Sequence, residues 1–523
     1  MKSKDQATPE ANSSPLTPHA SPETLGISGR IAKAFLQSQM TPLIALIAFL
    51  LGLFAVMVTP REEEPQINVT MANVFIPFPG ASAKDVESLV AIPATLIVAR
   101  LFVPFFWNLK LTSAYEYLEK RFDARVSILC SMLFLMLRGL LAGVAIYAPA
   151  IALSAVTGWN ITGCIIISGI LTLIYTSLGG MSAVVWTDIV QAIVLFGGTA
   201  LAACMMAKQL PGGVGDWVAR ASADHKFNVF DFEFSWVKLT FWSSSIGGLF
   251  YTLAFYGADQ VLVQRYLSSS SLRQAQKSLY LNALYLVPVN LIFFVIGTLL
   301  YLFLQDHRTA FPKGLSSDQV FPYYIVRFLP AGLPGLMVAA IYAAAMSTLS
   351  SVLNSLATVT INDFYKRWKP RETEEHYVRL SRRWTTGWGV LAISTALLAV
   401  HINSSVLLAT IKGASLFMGA MLGTFLLGML SSKPTPLSAF IGCLVGVFVS
   451  FGAGFATPLE MLWLTLLGTV TTFTTGWLVS AIWPADAGQI AKARTLTIFR
   501  ERGTTPAAEA SSLDQAISNQ KQA

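Results

Sequence analysis

An all-α membrane protein that crosses the bilayer many times is the fold class that three features of this sequence predict. Hydrophobic residues make up 54% of its 523 residues. Charged residues make up only 12%, about half the share found in a soluble domain. Apolar runs of 18 residues or more recur along most of the chain, and each can cross a bilayer as a helix. Because the hydrocarbon core offers no water to backbone groups, open sheets are excluded there.

Twelve apolar segments are candidate membrane spans. They follow a polar amino terminus without the apolar core of a signal peptide, so residues 1–25 are predicted to be a disordered tail. The twelve segments lie near 41–59, 88–108, 126–156, 159–178, 183–206, 239–258, 279–304, 333–361, 384–402, 404–430, 435–455 and 459–483.

Loop charges predict the orientation of these spans. Basic residues are concentrated in the loops at 109–125, 259–278 and 362–383, which fall on one side of the bilayer if twelve spans are counted. By the positive-inside rule that side is cytoplasmic. The sequence therefore predicts that both termini, including a tail at 485–523, face the cytoplasm of a cell that holds the protein in its plasma or inner membrane.

Several kinds of site are disfavoured by the sequence. The four cysteines and five histidines are dispersed, without CxxC or metal-ligand spacing. Glycine-rich phosphate loops and nucleophile–base arrangements are also missing from the sequence. Much of the net charge of +8 lies in loops beside spans, where it sets orientation rather than indicating nucleic acid. We therefore expect no enzyme activity, no metal centre and no nucleic-acid partner.

One face of the segment near 333–361 is lined by hydroxyl residues. At about 100° per residue, small polar residues share a narrow arc and the opposite arc is apolar. Oxygen ligands suit a hard cation such as sodium. Small hydroxyl residues also let membrane helices approach and hydrogen-bond, so cation binding and helix packing are alternatives. The arc contains Ala344, Ser347, Thr348, Ser351, Asn354, Ser355 and Thr358.

Charged and aromatic residues inside spans are further candidates. Asp188 and Arg138 lie within spans, where an unpaired charge is costly and therefore suggests a function. Asp188 is expected either to bind a cation or to cap a helix or pair with a loop arginine. Arg138 is expected either to bind an anionic substrate or to snorkel to the cytoplasmic face. Tyr147 and Tyr256 are candidates for lining a substrate cavity, with packing or interfacial anchoring as the alternative.

The pair Asp259 and Gln260 follows the sixth candidate span, in "GADQVLVQRY". Their position at a cytoplasmic end predicts that they organise a gate or a helix cap rather than coordinate an ion.

Residues 91–484 resemble the sodium:solute symporter family. The segments that carry the resemblance are "LTSAYEYLEKRF" (111–122), "YTSLGGMSAVVWTDIVQAIVLFGG" (175–198), "GADQVLVQRYLSSSSLRQAQKSLYLNA" (257–283) and "AAIYAAAMSTLSSVLNSLATVTINDFY" (339–365). The resemblance implies two inverted repeats of five helices with sites near the membrane midplane. It also implies sodium-coupled import of a small or anionic solute, with Na+ as the coupling ion and the lipid bilayer as the surrounding partner.

The resemblance implies roles for particular residues. The family's main sodium site matches the carbonyl of Ala344 and the hydroxyls of Ser347 and Thr348. Some members have a second cation site. The residues that match it here are Asp188, Ser347, Ser350 and Ser351.

Residues 24–90 follow a different pattern, which resembles the amino-terminal start of a resistance-nodulation-division efflux pump. There a first helix leads into "PREEEP" (60–65) and then a strand and turn ending in "PGAS" (79–82). The junction between an efflux-pump-like segment at 26–90 and the symporter domain is placed near Val90–Ala91.

This junction has a consequence for the symporter domain. Family members of this group usually have thirteen helices, and residues 91–484 supply only the last eleven, so the first core helix is predicted to be missing. That helix contributes carbonyls to the sodium site in the family. Three functions stay open: a sodium-coupled importer impaired by the replacement, a non-transporting fusion or vestigial membrane protein, and, more weakly, an efflux-pump fragment.

Overall fold

Helices account for every regular element that the structure describes. The structure is a computed structural model, and it describes residues 92–499 apart from 110, 112, 225, 228–230, 270, 313–316 and 401–405. No strand occurs within those ranges, which confirms the predicted all-α class. In chain order the helices are α1 (Ile92–Asn108), α2 (Ala114–Arg121), α3 (Ala124–Thr157), α4 (Ile161–Gln209), α5 (Val214–Ala223), α6 (Gly248–Gly257), α7 (Gln260–Leu267), α8 (Leu272–Asp306), α9 (Ser317–Phe328), α10 (Leu333–Val359), α11 (Glu374–Ala399), α12 (Val406–Leu430), α13 (Pro436–Ala456), α14 (Met461–Ile482) and α15 (Ala487–Thr495).

Among these described helices, seven are long and apolar enough to cross a membrane, or eight if α6 and α7 together form one span. The predicted first span at 41–59, the tail at 1–25 and the efflux-pump-like segment at 26–90 lie outside the described residues. Within the predicted spans at 88–108 and 384–402, residues 92–108 and 384–399 are helical, but α1 is short and the amino-terminal end of α11 is charged. The count of twelve spans therefore stays a prediction.

Helix α4 differs from the sequence prediction. Two spans were expected at 159–178 and 183–206, whereas the structure has one continuous helix of 49 residues. At a rise of 1.5 Å per residue it is about 73 Å long, far beyond the roughly 30 Å of a hydrocarbon core. Gly179 and Gly180 are the only helix-weakening residues between the two apolar runs, and glycine lowers helix stability without removing a backbone hydrogen bond.

Helices α6 and α7 form a broken pair. They are bent by 54° at the residues between them. The Asp259 carboxylate accepts a hydrogen bond from the Val261 amide at 2.9 Å and so caps the start of α7. The predicted capping role of Asp259 is confirmed. Discontinuous helices of this kind place free backbone groups inside a membrane protein, where substrate and ion sites are built.

In the described part of the chain, three π-helical turns interrupt or extend the α-helices. They lie within α1 (Val98–Phe102), before α6 (Ser243–Gly247) and after α10 (Thr360–Tyr365). Each inserts an extra residue into the helical repeat and redirects the side chains that follow it, and such turns are frequent at functional sites. The turn after α10 directs Asp363 into the protein interior.

The carboxyl-terminal helices α12, α13 and α14 pack closely through small residues. A Cβ atom added at Gly419 on α12 would lie 2.5 Å from the carbonyl oxygen of Thr465 on α14. One added at Gly442 on α13 would lie 2.7 Å from the carbonyl oxygen of Thr472. Such close approach of backbones is how membrane helices gain van der Waals contact without a hydrophobic driving force. Helix α10 packs elsewhere, between α3 and α4.

Candidate functional site

The three residues predicted for the main sodium site lie together on α10. The Ser347 Oγ donates to the Ala344 carbonyl at 3.0 Å, and the Thr348 Oγ1 donates to the same carbonyl at 3.2 Å. The carbonyl oxygen and the two hydroxyl oxygens therefore lie close together on one side of α10. Thr348 is exposed and Ser347 is half-buried, so this part of α10 is not fully covered by its neighbours.

The serines predicted for a second cation site lie one turn further along. Ser350 and Ser351 are buried, and their hydroxyls donate to the Ser347 carbonyl at 3.1 and 3.0 Å. Asp188 lies within α4, and its side chain is outside the described part of the structure. The second site therefore stays a prediction, although its three hydroxyl residues, Ser347, Ser350 and Ser351, lie within about one turn of α10.

Helix α7 covers the rest of the polar arc of α10. The Arg265 Nη2 donates to the Ser351 Oγ. The Ser355 Oγ donates to the Gln264 Oε1 at 3.2 Å, and the Gln264 Nε2 donates to the Thr358 Oγ1 at 3.4 Å. Periodicity identified the polar face of α10 but missed these partners, because α7 precedes α10 by more than sixty residues and nothing in either segment specifies the pairing.

Arg138 is buried in an ion pair rather than extended to the cytoplasmic face. Its Nη2 lies 2.5 Å from the Asp259 Oδ2, and its Nε donates to the same oxygen at 2.7 Å. The guanidinium also lies over the Phe255 ring, 5.0 Å from its centroid. Arg138 is 7% exposed and Asp259 is 1% exposed. Contact between Arg138 and a substrate stays a prediction, and it would require an anionic group to replace or share Asp259.

The two tyrosines predicted to line a substrate cavity lie in separate places. The Tyr256 hydroxyl accepts a hydrogen bond from the Asn282 Nδ2 on α8 at 2.7 Å. Tyr147 packs against the hydrophobic core and is partly buried. A cavity of about 10 Å³ between α3, α4 and α10 contains neither of them and is large enough for one water molecule. Their substrate role stays a prediction.

A buried carboxylate lies beyond the end of α10, and the sequence did not indicate that it would be buried. Asp363 is 4% exposed and accepts hydrogen bonds from the Ser113 Oγ at 2.9 Å and the Ser131 Oγ at 2.8 Å. The Arg367 Nη2 donates to the Glu119 Oε2 at 2.6 Å. These contacts join the end of α10 to α2 and α3. Asp363 lies in "TINDFY", which gave no signal of burial because it leads into the most basic loop of the chain.

Helix α2 is also attached to the broken helix pair. The Ala114 amide donates to the Gln260 side-chain oxygen at 2.8 Å, and the Tyr115 hydroxyl donates to the Ala258 carbonyl at 3.2 Å. Its amino-terminal end therefore contacts both the bend between α6 and α7 and the carboxylate that follows α10.

The carboxyl-terminal end of α2 is attached to α12. The Arg121 guanidinium donates to the carbonyls of Gly428, Ser431 and Pro434 at 3.2, 2.7 and 3.4 Å. Burial lowers the pKa of Arg121 from its ordinary value, while the nearby Tyr117 raises it. Arginine carries enough donors to satisfy all three carbonyls and remains charged in proteins.

Several known proteins are similar to this chain in sequence. The model of the sodium:solute symporter family matches residues 83–446, so the match begins within the segment that resembles an efflux pump. The sodium-dependent multivitamin transporter of Oryctolagus cuniculus is 36% identical over 367 residues, covering 69% of this chain and 57% of that protein. The sodium/sialic acid symporter SiaT of Proteus mirabilis is 30% identical over 404 residues, covering 77% of this chain and 81% of that protein.

Solved structures show the same architecture. The substrate-bound, outward-open structure of a Na+-coupled sialic acid symporter matches with a TM-score of 0.72 and 28% identity, covering 78% of this chain and 85% of that one. A closed structure of Mhp1, a transporter of the nucleobase-cation-symport-1 family, matches with a TM-score of 0.50 and 16% identity, which indicates the fold alone. These matches confirm the predicted symporter fold. The chain spans 57% and 58% of the multivitamin transporter and of the bovine sodium-coupled monocarboxylate transporter 2.

Proposed function

This chain belongs to the sodium:solute symporter family, and we propose that it couples the import of a small solute to the movement of sodium down its gradient. The family and the relatives named above are transporters rather than enzymes. Several apolar helices are consistent with a protein that crosses the membrane more than once. The observation that carries the proposal is the oxygen cluster of Ala344, Ser347 and Thr348 on α10.

The exposure of this cluster favours ion binding over helix packing. A hydroxyl that serves only to bring two helices together is buried between them. Thr348 is exposed and Ser347 is half-buried, so neither fits that description. A carbonyl and two hydroxyls supply neutral oxygen ligands on one side of a hard cation. The ligands for its other side must come from a second helix or from water.

The relatives indicate the solute class to test first. They are named for vitamins, monocarboxylates and sialic acid, and the last two names describe carboxylic acids. We infer that a small organic anion is transported, with sugars, vitamins and iodide as alternatives for the same assay. Arg138 is an intramembrane cation that a carboxylate could contact, and Asp259 neutralises it until a substrate enters.

The amino-terminal segment bears on transport competence. We infer from their sequence that residues 26–90 correspond to the start of an efflux pump rather than to the two helices that precede this region in symporters. Within the described residues, the proposed sodium ligands lie on α10 alone. Without fixed ligands from a second helix, sodium occupancy loses its link to gate closure. We infer that the chain is impaired and that its start replaces the first core helix.

A chimera tests this inference. The chain as written is expected to show little or no sodium-driven uptake, and replacing residues 1–90 with the first two helices of an intact relative is expected to restore it. The measurement is uptake of radiolabelled solutes into proteoliposomes with and without an inward sodium gradient. Strong gradient-dependent uptake by the unmodified chain would show that its own amino-terminal segment suffices.

The main sodium site is tested in that chimera by Ser347→Ala. Loss of one hydroxyl ligand should cost about 1–3 kcal/mol, so the sodium concentration for half-maximal uptake is expected to rise roughly tenfold. Ser394→Ala is the matched control, since Ser394 is exposed on α11 and bonds only its own helix backbone at the Val390 carbonyl. If the two variants required the same sodium concentration for half-maximal uptake, Ser347 would serve helix packing rather than sodium binding.

A further inference from the structure

A proline inside α3 leaves one backbone carbonyl without its usual partner. Pro149 lies within the helix and has no amide hydrogen, so the carbonyl of Ala145 loses the donor that an α-helix supplies. Inside a membrane, such a carbonyl is satisfied by a neighbouring helix, by a side chain or by an ordered water molecule. Ala145 and Pro149 both line the cavity between α3, α4 and α10, so this carbonyl lies beside the cavity.

The hydroxyl groups that line the same cavity have already committed their protons. The Ser168 Oγ donates to the Cys164 carbonyl, so the Tyr342 hydroxyl is the donor in its hydrogen bond with the Ser168 Oγ. The Thr172 Oγ1 donates to the Ser168 carbonyl at 2.9 Å. A hydroxyl has one hydrogen and two lone pairs. These groups can therefore accept hydrogen bonds from the cavity, but they have no hydrogen left to donate into it.

A ligand of this cavity must therefore supply hydrogens or a positive charge. A cation would be costly to bury, since none of the described residues that line the cavity is charged. A water molecule supplies two hydrogens without a charge, and the cavity of about 10 Å³ holds one. We propose that one water molecule binds here, donating one hydrogen to the Ala145 carbonyl and the other to the oxygens that Thr172 and Tyr342 present.

This water joins three helices. Ala145 belongs to α3, Thr172 to α4 and Tyr342 to α10. At 100° per residue, Tyr342 and Leu349 lie about 140° and 160° around α10 from Ser347. The water therefore holds the side of α10 that faces away from the proposed sodium ligands. The inference does not depend on sodium coupling, because none of the groups that bind the water belongs to a predicted sodium site.

X-ray radiolysis of the purified full chain in detergent tests the proposal. Radiolysis splits an ordered water molecule where it is bound, and the hydroxyl radical that forms oxidises the side chains beside it. Met346 lines the cavity and is only 8% exposed, so it is shielded from radicals formed in bulk water. Met337 is 2% exposed on the same helix and does not line the cavity. Mass spectrometry of peptides is expected to show Met346 oxidised at least tenfold faster than Met337.

Two substitutions remove the water by different routes. Thr172→Val keeps the shape of the side chain and removes an acceptor, whereas Ala345→Leu fills the cavity that Ala345 lines. Each is expected to lower the oxidation rate of Met346 at least fivefold. Thr199→Val is the matched control, because Thr199 is also buried on α4 and its hydroxyl bonds only its own helix, at the Leu195 carbonyl. It is expected to change nothing.

The outcomes decide whether the cavity holds water. Equal oxidation rates of Met346 and Met337 in the unmodified chain would overturn the proposal, because the cavity would then be dry. An equal fall in Thr199→Val and Thr172→Val, or no fall in Thr172→Val, would also overturn it, even if Ala345→Leu did not fold. Rapid oxidation of Met346 only when choline replaces sodium would assign the cavity to a cation and overturn the water. Transport is not measured, so none of these results bears on sodium coupling.

Discussion

Replacing Arg138 with leucine is expected to destabilise the protein by about 3–5 kcal/mol, the cost of leaving one partner of a buried ion pair without the other. Asp259 is 1% exposed, and Arg138 contributes both of the guanidinium contacts that neutralise it. The melting temperature of the detergent-solubilised protein, followed by tryptophan fluorescence, is expected to fall by several degrees.

The double variant Arg138→Leu with Asp259→Asn is the control for this effect. Asparagine removes the buried charge and still accepts a hydrogen bond at the start of α7. It should therefore recover much of the lost stability. A single variant as stable as the unmodified protein, or a double variant less stable than the single one, would show that the ion pair does not support the fold.

Replacing Asp363 with alanine is expected to detach α2 from the end of α10. The change leaves the buried hydroxyls of Ser113 and Ser131 without their acceptor. Hydrogen bonds to a charged group contribute about 1.5–3 kcal/mol each, so the loss exceeds what most single substitutions cost. A cysteine placed at Ala114, which is 0% exposed, reports the detachment through its reaction rate with a maleimide.

The expected result is a rise of at least tenfold in that labelling rate, measured with the exposed Cys204 replaced by serine. Asp363→Asn keeps one acceptor oxygen and is expected to give a smaller rise. Glu375→Ala removes an exposed carboxylate in the first turn of α11 and serves as the control. If labelling of the Asp363→Ala variant matched that control, α2 would be held by its other contacts.

The polar arc of α10 was predictable from the sequence because it depends only on helical periodicity. Ser347, Ser351, Ser355 and Thr358 recur at spacings of four, four and three residues, and this places them on one face whatever surrounds the helix. The cap at Asp259 was predictable for a similar reason, since a short acidic side chain before an apolar run is a local signal. Local patterns of this kind do not depend on how the helices pack together.

The partners of these residues were not predictable, because nothing local specifies them. Arg138 and Asp259 are 121 positions apart, and Arg265 and Ser351 are 86 positions apart. For Arg138 the sequence left two alternatives, an anionic substrate and the membrane surface, and it did not indicate the ion pair with Asp259. Asp363 was missed because a carboxylate next to a basic loop is usually solvated. The partner of Arg138 and the environment of Asp363 both depend on burial, and burial is set by tertiary packing.

The π-helical turn at Thr360–Tyr365 affects how this chain should be aligned with other sequences. A single-turn π-bulge is equivalent to one residue inserted into an α-helix. A homologue that lacks the extra residue would keep an unbroken helix here, yet its side chains beyond this point would be rotated by about 100°. The gap that aligns such a homologue correctly falls inside a helix, where gaps are ordinarily penalised. Forcing an ungapped alignment would match Asp363 to a residue that faces another direction.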